Sequence, residues 1–235
     1  MAVTRAAPQP HDQPISFAPM TRGAKLLTEL VGTTIFFSVI ALSGPIGALA
    51  PLAIGGALMT MVYMGGHISG AHYNPAVSLA VFLRRKLSAG DLVLYWAAQA
   101  IGAIIAFTFG HMASGHTPGI HPGPHVDSGP ALAVEIFYTT ALALVVLNVA
   151  ATDATKGNSF YGLAIGFTIV VAAFAGGPIS GGAFNPAVGF GATFGSAVFA
   201  SGSWSDLWIY IVGPFIGAVI GATIHAVQTS GSKAT

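Results

Sequence analysis

Of 235 residues, 54% are hydrophobic and 6% are Asp, Glu, Lys or Arg, against roughly 25% charged in a soluble domain, so this chain cannot cover a water-exposed globule. Eight basic against seven acidic residues leave a net charge of +1, which excludes the dense positive surface of a nucleic-acid binder. The absence of cysteine removes disulfides, thiolate metal sites, iron–sulfur clusters and a cysteine nucleophile together.

Residues 1–22, with Pro8, Pro10 and Pro14 among polar residues, hold no apolar run and read as a disordered cytoplasmic tail, not a signal peptide. Six stretches then approach the ~20 apolar residues a membrane crossing needs: 26–44, 51–66, 92–110, 131–151, 160–177 and 207–226. The 31 glycines are spread through them, as expected of helices packed closely through small residues. With six spans, all eight Lys and Arg fall on one side, and the positive-inside rule places both termini in the cytoplasm. The protein is therefore expected to be integral to a plasma (inner) membrane.

The chain also repeats itself. Leu52-Ala53-Ile54-Gly55 recurs as Leu163-Ala164-Ile165-Gly166 and Asn74-Pro75-Ala76-Val77 as Asn185-Pro186-Ala187-Val188, both at an offset of 111 residues. Glu29 with Thr33-Thr34 matches Glu135 with Thr139-Thr140, and Tyr95 with Gly102 matches Tyr210 with Gly217. Each copy carries three spans, an odd number, so the copies lie in opposite orientations, as an inverted repeat. The organisation expected is a first repeat over 23–110, an outer connecting loop over 111–130, a second repeat over 131–227, and a cytoplasmic tail over 228–235.

Both Asn-Pro-Ala segments precede apolar stretches too short to span. Asn is a strong N-cap and Pro suits the first helical position, so each segment starts a half-helix at Asn74 or Asn185. Each half-helix begins near the midplane and returns to its own side. The non-helical backbone before it, over 66–73 and 177–184, is tolerable at that depth only along a wet path. Two helix N-termini, each carrying roughly +0.5 charge, and two N–H donors from each Asn amide would grip a neutral oxygen there and repel cations.

With these residues in place the chain resembles the major intrinsic protein family, the aquaporins and aquaglyceroporins, over about residues 23–227. Gly66-His67-Ile68-Ser69-Gly70-Ala71-His72 is similar to that family's first re-entrant loop and Gln99 with Gly102 to its third-span signature. The resemblance implies an all-α membrane protein of aquaporin-like fold, with six transmembrane helices plus two re-entrant half-helices. It also implies one pore per protomer, a homotetramer in membrane lipid, and no cofactor. The implied pore centre is Asn74 and Asn185, flanked by a pore-lining loop of Gly70, Ala71, His72, Gly181 and Ala183. Counted from the Asn residues, the outer constriction falls on Ile54, Ala173, Gly182 and Val188. Valine at 188 departs from the family, most of whose members carry arginine there, and leaves the ring without a charge.

Glu29 and Glu135 are open to two roles, a proton relay or structural acceptors for loop N–H groups. Their symmetry beside Thr33 and Thr139, with no Lys or Arg inside a span, fits the acceptors better. His67 is expected to serve structure. His111, His116, His121 and His125 lie in a Gly/Pro-rich loop that fixes no metal geometry, and a solvated loop with no metal is expected. No nucleophile constellation supports an enzyme. The expectation is a passive channel for water or small uncharged solutes such as glycerol, urea, ammonia, hydrogen peroxide or neutral metalloid hydroxides. An ion-coupled secondary transporter, also built from inverted repeats and broken helices, is the alternative.

Overall fold

The computed structural model describes residues 20–230, and the remainder of both expected tails lies outside the described residues. Eight α-helices follow one another: α1 (Arg22–Leu42), α2 (Ala50–Gly65), α3 (Pro75–Leu83), α4 (Ala89–Ser114), α5 (Ser128–Ala150), α6 (Tyr161–Ser180), α7 (Pro186–Phe199) and α8 (Leu207–Gln228). Six of them, counting α2 with the 3-10 turn over Gly44–Leu49, are long and apolar enough to cross a bilayer. Outward faces carry large apolar side chains such as Val93, Phe137, Val171 and Val227, as a hydrocarbon solvent requires.

Local chemistry sets several boundaries. Thr21 Oγ1 accepts from Ala24 N and starts α1, and Ser88 Oγ accepts from Asp91 N and starts α4. Gly115, at φ 67, ends α4 in the left-handed conformation that suits glycine. The helix therefore runs four residues beyond 110, and with α5 starting at Ser128 the connecting loop spans 115–127.

The two halves pack alike. α1 lies along α4 and its counterpart α5 lies along α8, while α2 and α6 meet across the repeat. That last contact is backbone on backbone. A Cβ on Gly55 would lie 2.5 Å from the Gly166 carbonyl oxygen, and a Cβ on Gly166 would lie 2.5 Å from that of Gly55. Glycine at both positions lets the helices approach until dispersion forces, the main attraction between helices in lipid, are realised.

At ~1.5 Å per residue α3 and α7 are too short for a ~30 Å hydrocarbon core. Each enters from one side and stops midway. At the foot of α3, Arg84 Nε donates to His225 Nδ1 at 3.0 Å and Nη2 to Thr229 Oγ1 at 3.1 Å, tying the half-helix to α8. Lys25, Lys86 and Lys156 border one cavity at this same end, hereafter the basic end.

Candidate functional site

The site begins with two short backbone segments in a costly conformation. Gly70, Ala71 and Tyr73 have φ of 91°, 50° and 47°, and Gly181, Gly182 and Phe184 repeat the pattern with 91°, 76° and 50°. For Ala, Tyr and Phe such values cost roughly 1–3 kcal/mol each, so something must hold them. The fully buried carboxylates Glu29 and Glu135 do so. Glu29 Oε1 accepts from Ser69 Oγ (2.7 Å) and His72 N (2.9 Å), and Oε2 from Tyr73 N (2.8 Å) and Gln99 Nε2 (2.9 Å). Glu135 Oε1 accepts from Ser180 Oγ (2.8 Å) and Ala183 N (3.0 Å), and Oε2 from Phe184 N (2.6 Å). The repeated tyrosines complete each loop, Tyr95 Oη donating to Ser69 O and Tyr210 Oη to Ser180 O. Sequence reasoning saw that these tyrosines repeat but assigned them no part.

Non-helical backbone is less extensive than expected. Residues 66–69 continue as a hydrogen-bonded turn from α2, and α6 runs through Pro178 to Ser180, leaving 70–73 and 181–184. Over these segments the carbonyls of Gly70, Ala71, His72, Gly181, Gly182 and Ala183 have no protein partner among the described residues.

The two Asn-Pro-Ala segments meet tip to tip. Asn74 Oδ1 caps α3 by accepting from Ala76 N (2.8 Å), and Asn185 Oδ1 caps α7 by accepting from Ala187 N (3.0 Å). Each amide also reaches across the repeat: Asn74 Nδ2 donates to Phe184 O (3.0 Å) and Asn185 Nδ2 to Tyr73 O (2.9 Å). This corrects the expectation of two free donors per amide. One N–H of each is engaged in the latch and one remains.

Two cavities flank this junction. The first, about 300 Å³, is lined by both asparagines, by Ala71, His72, Gly181 and Ala183, and by Ile54, Ala173, Gly182 and Val188. No charged side chain borders it. The second, about 700 Å³ at the basic end, is lined by Gly70, Lys25, Lys86, Lys156 and Asp153 among others. His72, Val146 and Ile165 border both, so the two cavities adjoin at these residues. His67, expected in a structural role, is instead exposed and borders the second cavity.

Sequence reasoning missed Ile120. The Gly/Pro-rich loop around it reads as solvated, yet Pro118, Gly119 and Ile120 line the first cavity. Gly123 N donates to Ile179 O at 2.9 Å and pins the loop over the end of α6. The only signal was an isolated apolar residue among polar ones. His111 stacks on Phe199 with ring centroids 4.4 Å apart and contacts Thr117 Oγ1 at 3.0 Å, and among the described residues no three His, Asp or Glu side chains converge on a metal position.

A bundle of membrane-spanning helices with two half-helices meeting N-terminus to N-terminus between two adjoining cavities has the architecture of a membrane channel. A family model for major intrinsic proteins matches residues 20–225, and the chain belongs to that family, whose aquaporins are channels and not enzymes. It is 36% identical over 219 residues to glycerol uptake facilitator protein-like 6 of Lactiplantibacillus plantarum, covering 88% of this chain and 98% of that one. It is 35% identical over 216 residues to probable aquaporin NIP4-2 of Arabidopsis thaliana, covering 86% and 73% respectively. The solved aquaglyceroporin of Plasmodium falciparum shares the fold, with a TM-score of 0.77 at 21% identity over 87% of this chain and 96% of that one.

Proposed function

We propose that this chain passes water and small uncharged solutes down their gradients, excluding protons and ions at the paired Asn-Pro-Ala tips, as a cofactor-free homotetramer in the plasma (inner) membrane. The candidate permeants are glycerol, urea, ammonia, hydrogen peroxide and neutral metalloid hydroxides, and the glycerol facilitator among the relatives supports that range. The observation that carries the reading is the charge-free first cavity: Ile54, Ala173, Gly182 and Val188 wall it, and two amide N–H donors stand at its inner end.

A water or hydroxyl oxygen at the tips accepts from Asn74 and Asn185 while its O–H turns toward the unpartnered loop carbonyls. A cation gains nothing from these donors. At ~5 Å and an effective dielectric near 20, each half-charge of a helix tip costs a unit cation roughly 1.7 kcal/mol, added to lost hydration. With valine at 188, the mouth lacks the five N–H donors and full charge of an arginine. A carbon skeleton then loses little on entry, whereas water finds fewer replacement partners.

The test is paired osmotic and solute flux by stopped-flow light scattering in proteoliposomes at matched protein density. Wild type is expected to pass at least one neutral solute larger than water, and Val188→Arg to suppress that flux strongly while sparing most water flux. Rejection of glycerol, urea and neutral metalloid hydroxides alongside rapid water flux would overturn the wide-mouth reading. Concentrative uptake abolished by an uncoupler would replace the channel with a coupled transporter. Orientation is tested with cysteines introduced at Ser114 and Gly157: an impermeant reagent outside intact cells should label the first and spare the second.

A further inference from the structure

Three residues in the first half form a hydrogen-bonded chain that the second half lacks. Gln99 Nε2 donates to Glu29 Oε2 at 2.9 Å and to Ser78 Oγ at 3.1 Å. Ser78 Oγ donates to Asn74 O at 3.1 Å and lies 3.0 Å from His72 Nδ1. All three side chains are buried, but His72 alone reaches the path, bordering both cavities. At the repeat-related positions stand Ala183, Gly189 and Pro214.

That replacement decides what the chain is for. The second loop adopts the same left-handed sequence of φ values, hangs on the repeat-related carboxylate of Glu135 and places its asparagine equally well without these side chains. Holding a re-entrant loop therefore does not require them. What they add is a defined state for one imidazole. The carboxylate accepts only, so the Gln99 amide must turn its NH₂ toward Glu29, and its second N–H then points at Ser78. The one Ser78 proton goes to the Asn74 carbonyl. Every contact at Ser78 Oγ is satisfied only if His72 carries its proton on Nδ1 and donates it to Ser78. Nε2 is left with a lone pair and no protein partner among the described residues.

We propose that Ser78 and Gln99 are positioning residues that fix His72 as the Nδ1–H tautomer, so that its Nε2 presents a hydrogen-bond acceptor to the permeant where the two cavities join. This rests on the channel reading above and adds a requirement to it. A solute leaving the Asn74 and Asn185 donors toward the basic end meets acceptors first, the Gly70, Ala71 and His72 carbonyls and then His72 Nε2, before it reaches the lysines of the second cavity. The favoured class is neutral molecules carrying O–H or N–H groups, over equally small molecules that only accept.

Solid-state ¹⁵N NMR of histidine-labelled protein in lipid tests the tautomer directly, with the His72 signal among eight histidines identified by its loss in His72→Gln. At pH 8 the wild type should show a protonated Nδ1 and an unprotonated Nε2. Ser78→Ala should shift the ring toward the opposite tautomer, and Ser78→Thr, which keeps the hydroxyl, should restore it. In proteoliposomes Ser78→Ala should lower water and glycerol flux per protein roughly fivefold or more, the weight of one misplaced hydrogen-bonding group, with Ser78→Thr within about twofold of wild type. Equal thermal midpoints of the two variants separate this from misfolding. A wild-type Nε2–H, or a Ser78→Ala ring and flux matching wild type, overturns the proposal while leaving the channel intact. A wild type that conducts nothing overturns the channel reading itself, and the tautomer remains readable by NMR.

Discussion

Replacing Glu135 with glutamine tests what the buried carboxylates do. Glu135 accepts three donors inside the protein, and Phe184 N at 2.6 Å is the shortest of them. Glutamine keeps one carbonyl oxygen. If that oxygen stays with Ser180 and Ala183, the NH₂ group faces the Phe184 N–H, donor against donor. The charge-assisted bond lost there is worth about 1.5–3 kcal/mol, and an orphaned buried N–H costs about 1–3 kcal/mol. A loss of roughly 2.5–6 kcal/mol is a large share of a stability that is typically ~5–15 kcal/mol. It is concentrated on a segment whose φ values of 91°, 76° and 50° have no other carboxylate to hold them. The Phe184 carbonyl is also the acceptor for Asn74, so relaxation of this loop loosens the latch at the pore centre. Thermal unfolding in detergent should show a midpoint lower by about 5–15 °C, and osmotic flux per protein should fall in parallel. A proton relay predicts the opposite pattern, with stability unchanged and only proton-coupled flux lost. A Glu135→Gln protein matching wild type in midpoint and osmotic flux would refute the bracing account.

Asn74→Asp with Asn185→Asp keeps both N-caps but places carboxylates where donors stood, against helix tips of roughly +0.5 charge each; proton or cation leak across proteoliposomes should rise. Gly55→Ala puts a methyl 2.5 Å from the Gly166 carbonyl oxygen, and such overpacking of a helix pair should cost about 1–3 kcal/mol, read as a lower midpoint. Wild-type flux should resist mercurials because the chain has no cysteine. Ala173→Cys should confer block that a thiol reductant reverses, a better site than Gly182, whose φ of 76° disfavours any side chain. Ile120→Ala should raise the glycerol-to-water flux ratio, because it removes a side chain from the first cavity without touching the asparagine tips.

The half-helix starts were legible because their cause is local. An asparagine that caps, a proline that needs no N–H and a following apolar run are enough to place Asn74 and Asn185, and α3 and α7 begin one residue later. The extent of irregular backbone was less legible. Gly176-Gly177-Pro178 reads as a helix breaker, yet α6 continues through it, because tertiary packing outweighs local propensity there. Long-range partners were the least legible: nothing in the tripeptides says that each amide spends one N–H on the opposite loop, or that Ile120 folds down onto the first cavity. For the same reason Tyr95 and Tyr210 could be seen to repeat without their carbonyl partners being named.

The apolar character of the first cavity follows from the repeat as much as from the loss of one arginine. Val188 is the repeat copy of Val77 and Ile54 that of Ile165, and all four line the first cavity. At these positions the two halves present the same side chain from opposite sides, so neither end of the path is marked by charge there. A channel symmetric in this way discriminates weakly at those positions, since a valine and an isoleucine reject a neutral solute only by size. Discrimination must then reside where the copies differ along the path. Those places include His72 against Ala183, Ala71 against Gly182, Phe36 against Leu142 and Leu58 against Ile169, together with the loop residue Ile120, which belongs to neither copy. The first adds a hydrogen-bonding group where the two cavities meet, and the others set the bore of the first cavity. Exchanging these residues should therefore move solute preference further than exchanging Ile54 or Ile165 for another branched aliphatic residue.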